Sequence, residues 1–158
     1  MPKSDLDATD RRILAALQRD GRLSNVELAQ DVALSPSPCL RRVRRLEDEG
    51  VIRGYRADLD RLRVGLGLTV YMELKVGLHS RANAEGLAAA LAAMPEVVSC
   101  AMVSGDADFV AEVVVPDLER YERFLTEHIQ TLPMIASIRS NFALRTLKSA
   151  GPLPLPAA

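Results

Sequence analysis

The chain has 158 residues, 48% of them hydrophobic and 26% charged, with a net charge of −1. That length holds one ordinary domain or two small ones, and the apolar share is enough for a core, which excludes a disordered chain. The near-neutral charge excludes a polycation, so any affinity for nucleic acid must come from a local patch. No apolar run approaches the ~18 residues needed to span a bilayer. The N-terminus, MPKSDLDATD, lacks a signal-peptide apolar region. Cys39 and Cys100 make neither a disulfide framework nor a metal knuckle. The expectation is a reduced, cytoplasmic protein without cofactor. With no Trp and six Phe or Tyr residues, stacking on single-stranded bases is a poor first guess.

Asp7 opens the first helical pattern, and Asp10, three residues on, makes a weak capping arrangement with it. Ile13, Leu14 and Leu17 recur at helical spacing, and Asp20-Gly21 stops the run. Ser24-Asn25-Val26-Glu27 is a full capping box for a second helix, with Val26, Leu28, Ala29 and Val32 as its apolar positions. Ser35-Pro36 starts a third: Ser35 caps, Pro36 takes the first helical position, and Pro38 still lies in the first turn. It ends at Gly50. Three short helices with a tight turn between the last two match a helix-turn-helix.

On the third helix, Leu40, Val43 and Leu46 share one arc. Arg41 and Arg45 point away from it, and Arg42 and Arg44 flank it. Ser37 and Pro38 lie near the outward side at the N-terminal end, where small residues allow close approach to base edges. The arginines then reach phosphates or guanine. A solvated helix face is the plain alternative. Val51 to Asp58 reads equally as a short wing, with Arg53 and Arg56 outside, or as a linker strand.

Residues 59–67 read as a hinge. Leu68–Val76 alternates, with Val70, Met72, Leu74 and Val76 on one face, as a half-buried strand does. Residues 82–94 are Ala/Leu-rich and helical up to Pro95. Val97–Val103 and Phe109–Val115 form a hairpin around Ser104-Gly105-Asp106-Ala107-Asp108. Asp117 caps a helix to about Gln130, with Leu118, Tyr121, Phe124 and Leu125 inward, and Ile135–Leu147 is extended. Strand-helix-strand-strand-helix-strand is a ferredoxin-like order. The expected class is α+β: a winged helix-turn-helix over 1–58, a hinge over 59–67, a ferredoxin-like βαββαβ domain over 68–148, and a flexible tail over 149–158. Apolar residues on the second sheet face (Ala101, Val103, Val113 and Val115 against Met102 and Val114) suggest sheet-to-sheet dimerisation.

Together these stretches resemble the leucine-responsive regulatory protein/asparagine regulator (Lrp/AsnC) family of transcription regulators. The carrying residues are Leu6-Asp7-x-x-Asp10-x-x-Ile13-Leu14, Asp20-Gly21-Arg22-Leu23-Ser24, the run from Leu34 to Glu47, Gly50-Val51-Ile52, and Val103-Ser104-Gly105-Asp106-Ala107-Asp108. The resemblance implies a DNA-binding domain joined to an amino-acid-sensing domain. Its partners would be double-stranded DNA, an amino-acid effector and further copies of the chain: homodimers, assembling to octamers, with no membrane.

The residues expected at DNA are Ser24, Asn25, Ser35, Ser37, Pro38, Arg41, Arg42, Arg44, Arg45 and Arg53. Carried over from the family, Gly105, Asp106 and Asp108 lie beside the effector, joined by Met102, Ser104, Leu118, Asn141, Phe142 and Ala143. Ala107 departs from the aromatic many relatives carry between the two aspartates, and Met134 stands where Gly often follows Leu-Pro. On the residues alone the turn also reads as a plain hairpin, because Gly and Asp favour turns.

No catalytic motif stands out. His79 and His128 have no paired ligand spacing, neither cysteine carries a nucleophile signature, and no phosphate-binding glycine loop occurs. Asp106 and Asp108 without further oxygen ligands make a weak cation site. The expected function is an effector-responsive, sequence-specific regulator and not an enzyme. The alternatives are an architectural DNA-binding protein that ignores small molecules and a metabolite sensor whose helices bind protein.

Overall fold

The computed structural model describes residues 6–77, 80–149 and 151–156. His79 lies outside them. The chain divides into two compact units, one of residues up to Asp58 with those from Lys148 onward, the other Leu59–Leu147.

In the first unit, α1 (Ala8–Arg19), α2 (Asn25–Asp31) and α3 (Pro36–Asp48) enclose a core of Ile13, Leu14, Ala16, Leu28, Ala29, Val32, Cys39 and Leu46. Both capping boxes form. Asp7 accepts from the Asp10 N–H at 2.8 Å while Asp10 accepts from the Asp7 N–H. Ser24 and Glu27 do the same for α2. Gly50, at φ 71°, turns the chain out of α3, and the Ile52 N–H reaches back to the Leu46 carbonyl at 3.0 Å. Val51 and Ile52 then pack on the core, and 51–58 is irregular and forms no strand.

Two apolar expectations are corrected. Val26 is exposed, since α2 is short and turns Leu28 and Ala29 inward. On α3 the buried arc is Cys39, Val43 and Leu46, and Leu40 faces out.

The closing residues also differ from a free tail. They are extended, as Pro-rich chain should be, yet they are held on α1. The Gln18 side chain accepts from the Leu153 N–H at 2.6 Å and donates to its carbonyl at 3.3 Å. Arg11 donates to the Pro156 carbonyl, and Leu155 packs on the helical core.

The second unit has β1 (Leu68–Val76), α4 (Arg81–Ala93), β2 (Val97–Met102), β3 (Phe109–Val115), α5 (Leu118–Phe124) with a following π turn (Leu125–Ile129), and β4 (Ile135–Phe142). The antiparallel sheet runs β2-β3-β1-β4, the ferredoxin-like order. Val70, Met72, Leu74 and Val76 pack with Phe109, Ala111, Val113 and Val115 against Leu87, Leu91, Tyr121 and Phe124 of the helices. Leu118, the first residue of α5, is exposed, contrary to expectation.

The second sheet face is only in part the apolar surface expected: Ala101 lies on it opposite Val110, and Ala101 and Val103 are exposed. Val113 and Val115 sit opposite Val70 and Leu68 and belong to the core, while β1 turns Tyr71, Glu73 and Lys75 the other way. That face carries ion pairs: Glu73 with Arg139 at 3.2 Å, and Arg61 with Glu112 at 2.8 Å. Arg61 also donates to Thr69, so the expected hinge winds as turns against the sheet.

Candidate DNA-binding face and effector turn

The basic helix face is organised by one buried acid. The Asp10 side chain is 1% exposed. Its Oδ1 accepts from Arg42 Nη1 at 2.8 Å and its Oδ2 from Arg45 Nη2 at 2.6 Å. Arg42 Nη1 also donates to Asp7 at 2.7 Å. Asp7 is thereby lowered to about 2, first by its bond from the Asp10 N–H and then by Arg42; the carboxylates raise both guanidinium values further. The position of Asp10 in the first turn of α1 adds the helix dipole to the charges stabilising it.

This changes the reading of the arginine run. Arg45 does not point away from the bundle: it folds back to Asp10, and Arg42 is half-buried beside it. The two residues are a clamp across α1 and α3. Arg41 and Arg44 are exposed, and among the described residues neither makes an ion pair. With Ser37, Leu40, Arg45, Asp48 and Glu49 they line a shallow groove of about 450 Å³. The clamp was legible only as a pair of cap residues; nothing in local spacing links Asp10 to positions 32 and 35 residues away.

The other expected DNA residues fall into two groups. Ser24 is committed to capping α2, and Asn25 Nδ2 donates to the Pro36 carbonyl at 2.9 Å, fixing α2 to the start of α3. Ser35, Ser37 and Arg53 are exposed, and Pro38 is half-buried. Ser35 makes no side-chain cap bond. It has little to cap: Pro36 and Pro38 have no N–H, and the Cys39 N–H bonds to the Ser35 carbonyl, leaving the Ser37 amide as the open donor of that turn.

In the second unit the turn residues Ser104, Gly105 and Asp106 are exposed, with Gly105 at φ 123°, a conformation that disfavours a side chain. Asp108 is half-buried and already engaged. Its Oδ2 accepts from the Val76 N–H at 2.8 Å, and its own N–H donates to the Leu74 carbonyl. Met102 is exposed on edge strand β2.

The remaining expected residues lie elsewhere. Phe142 pairs with Val70 on the opposite edge strand, edge-on to Tyr121 with ring centroids 5.5 Å apart. Tyr121 in turn shares a hydrogen bond with Ser140, and burial raises its hydroxyl above the ordinary phenol value. Asn141 points to the other sheet face and donates to Glu73 at 2.9 Å. The Ala143 N–H donates to the Thr69 carbonyl. Three strand spacings of ~4.8 Å and about six residues of strand at ~3.3 Å separate this group from the turn, roughly 25 Å. One protomer does not bring the two groups together.

Among the described residues no cluster of His, Cys, Asp and Glu could hold a metal ion, and no helix is long and apolar enough to cross a membrane.

Comparison with known proteins agrees with both halves. Residues 6–53 match the winged helix-turn-helix DNA-binding model, and residues 69–153 match the Lrp/AsnC ligand binding domain. The chain is 40% identical over 152 residues to the leucine-responsive regulatory protein of Salmonella typhimurium, covering 96% of this chain and 93% of that one. It is 43% identical over 152 residues to the Bkd operon transcriptional regulator of Pseudomonas aeruginosa, covering 95% and 99%. Among solved structures, a transcriptional regulator from Neisseria meningitidis in complex with L-Met superposes with a TM-score of 0.89 at 38% identity, over 94% of this chain and 96% of that one. An AsnC family regulator from Agrobacterium tumefaciens gives 0.89 at 36%, over 94% and 97%. Built as a winged helix-turn-helix followed by a ferredoxin-like ligand-binding domain, this chain belongs to the Lrp/AsnC family of DNA-binding transcriptional regulators.

Proposed function

We propose that the protein reads a specific DNA sequence through the outward face of α3 and that an amino acid, bound between copies, alters that binding. The observation carrying the DNA half is the division of the arginine run. Arg42 and Arg45 are spent on Asp10, while Arg41 and Arg44 stand open beside Ser37 and the free Ser37 amide. Guanidinium groups suit phosphate and guanine, and an open helix-terminal amide suits phosphate. In a dimer the two α3 helices would engage half-sites about 34 Å apart.

The effector half is supported by the separation of the two residue groups. The turn of one copy and the Phe142 edge of another would complete a site that neither forms alone, with Gly105 and Asp106 exposed to receive it. The Neisseria relative was solved with L-Met. An α-amino acid would find backbone amides for its carboxylate at the turn and Asp106 for its ammonium. Such a ligand biases assembly only by binding one arrangement better than another.

The engagement of Asp108 by the Val76 amide favours a second reading, an architectural DNA-binding protein without effector, because that carboxylate is already occupied. A thermal-shift screen of the proteinogenic amino acids separates the two. A true effector at a hundred times its Kd stabilises by about 2.7 kcal/mol, a rise of several degrees in a protein this size. No shift from any amino acid, with DNA binding intact, defeats the effector reading.

A further inference from the structure

The outward face of α3 holds one residue that neither the clamp nor the phosphate-facing groups use. Leu40 is 37% exposed, although Cys39 beside it and Leu46 further along are fully buried. Its face is shared with Ser37 three residues before, and with Arg41 and Arg44 after. A large apolar side chain thus lies partly open, on the fifth residue of the helix, in the groove that Arg41 and Arg44 also line. The fold gains little from it there, because the core position is filled by Cys39.

We propose that Leu40 is a specificity-determining residue that packs on the C5-methyl group of a thymine in the major groove. The proposal rests on the DNA-reading face described above and names one base that it reads. In that groove the methyl is the one apolar feature of a base-pair edge. Thymine is distinguished from 5-methylcytosine by an Arg41 or Arg44 donor that meets the methyl-bearing base itself, since thymine O4 accepts there and the cytosine N4 amino group does not. The small Ser37 on the same face lets the helix approach closely enough for contact.

The test uses the full-length protein and a duplex enriched from a random-sequence library. Each thymine of the half-site is replaced in turn by deoxyuridine, which removes the methyl alone, and binding is titrated for the wild type and Leu40→Ala. Because Leu40 is outside the core, the variant should melt with the wild type. One thymine per half-site should weaken wild-type binding about fourfold on losing its methyl, the worth of one buried methyl group. In Leu40→Ala that ratio should fall to one, while substitutions at other positions keep their wild-type effect. A 5-methylcytosine at the same position should not restore the original affinity. A ratio that survives in Leu40→Ala, full rescue by 5-methylcytosine, or a half-site with no methyl-sensitive thymine overturns the assignment. A library that yields no enriched duplex overturns the sequence-specific reading itself, which is a distinct failure.

Discussion

Arg45 Nη2 donates to Asp10 Oδ2 at 2.6 Å, joining the last turn of the basic helix to the first turn of α1. The carboxylate is buried, whereas the Arg45 side chain is 44% exposed and that of Arg42 is 32% exposed. The two ends of the clamp therefore differ in what their loss would leave behind.

Removing the acid frees two guanidiniums that can turn to water. Removing both arginines strands a buried anion. Asp10→Asn should destabilise by about 1–3 kcal/mol, and the Arg42→Leu/Arg45→Leu double variant by about 3–5 kcal/mol. Urea unfolding of the two proteins checks the order; an Asp10→Asn loss at least as large as the double variant's contradicts it.

On the outward side, Arg41→Ala and Arg44→Ala should leave stability within about 0.5 kcal/mol, as for exposed side chains without partners. For every phosphate that such a variant no longer neutralises, the slope of log affinity against log salt should shrink by about 0.9. Arg42→Ala should show the reverse pattern, a fall in stability with a nearly unchanged slope. Filter binding across a salt series distinguishes them.

Asp106 and Asp108 look equivalent as letters but not as atoms. Asp108→Ala removes the acceptor of the Val76 N–H and should cost about 1–2 kcal/mol. Asp106→Ala, at an exposed position, should be nearly neutral in stability. Failure to respond to the effector is therefore interpretable in Asp106→Ala and compound in Asp108→Ala. Equal melting temperatures for the two variants would refute this division.

The lowered Asp7 value sets an acid limit on the first unit. Its carboxyl titrates near 3.8 when unfolded and near 2 when folded. The unfolded state then binds more protons between those values, so stability falls as pH drops from about 4 to about 2, and the contribution is complete above pH 4. The side chain is half-exposed, so salt should reduce the effect. The stability difference between wild type and Asp7→Asn should shrink over that interval; a difference constant from pH 5 to pH 2 would rule this out.

How much of this was legible beforehand depends on the range of each interaction. Ser24 with Glu27, Asp7 with Asp10 and the alternation of Val70 to Val76 are local, and their elements formed where the periodicity placed them. Leu40 misled because helical spacing alone cannot tell whether it or Cys39 meets the neighbouring helix. The long-range partners stayed hidden: Asp10 with Arg45, Asp108 with the Val76 amide, Glu73 with Arg139 and Asn141. Val113 and Val115 were assigned to the open sheet face for the same reason, since strand order and register decided which valines the helices cover.

The bond pair between Gln18 and Leu153 has a topological result. The chain leaves the helical unit after Asp58 and re-enters it from Lys148. The ligand-binding half is thus an insertion, leashed at both its ends to one and the same body. Scission at either connection would leave the other still holding.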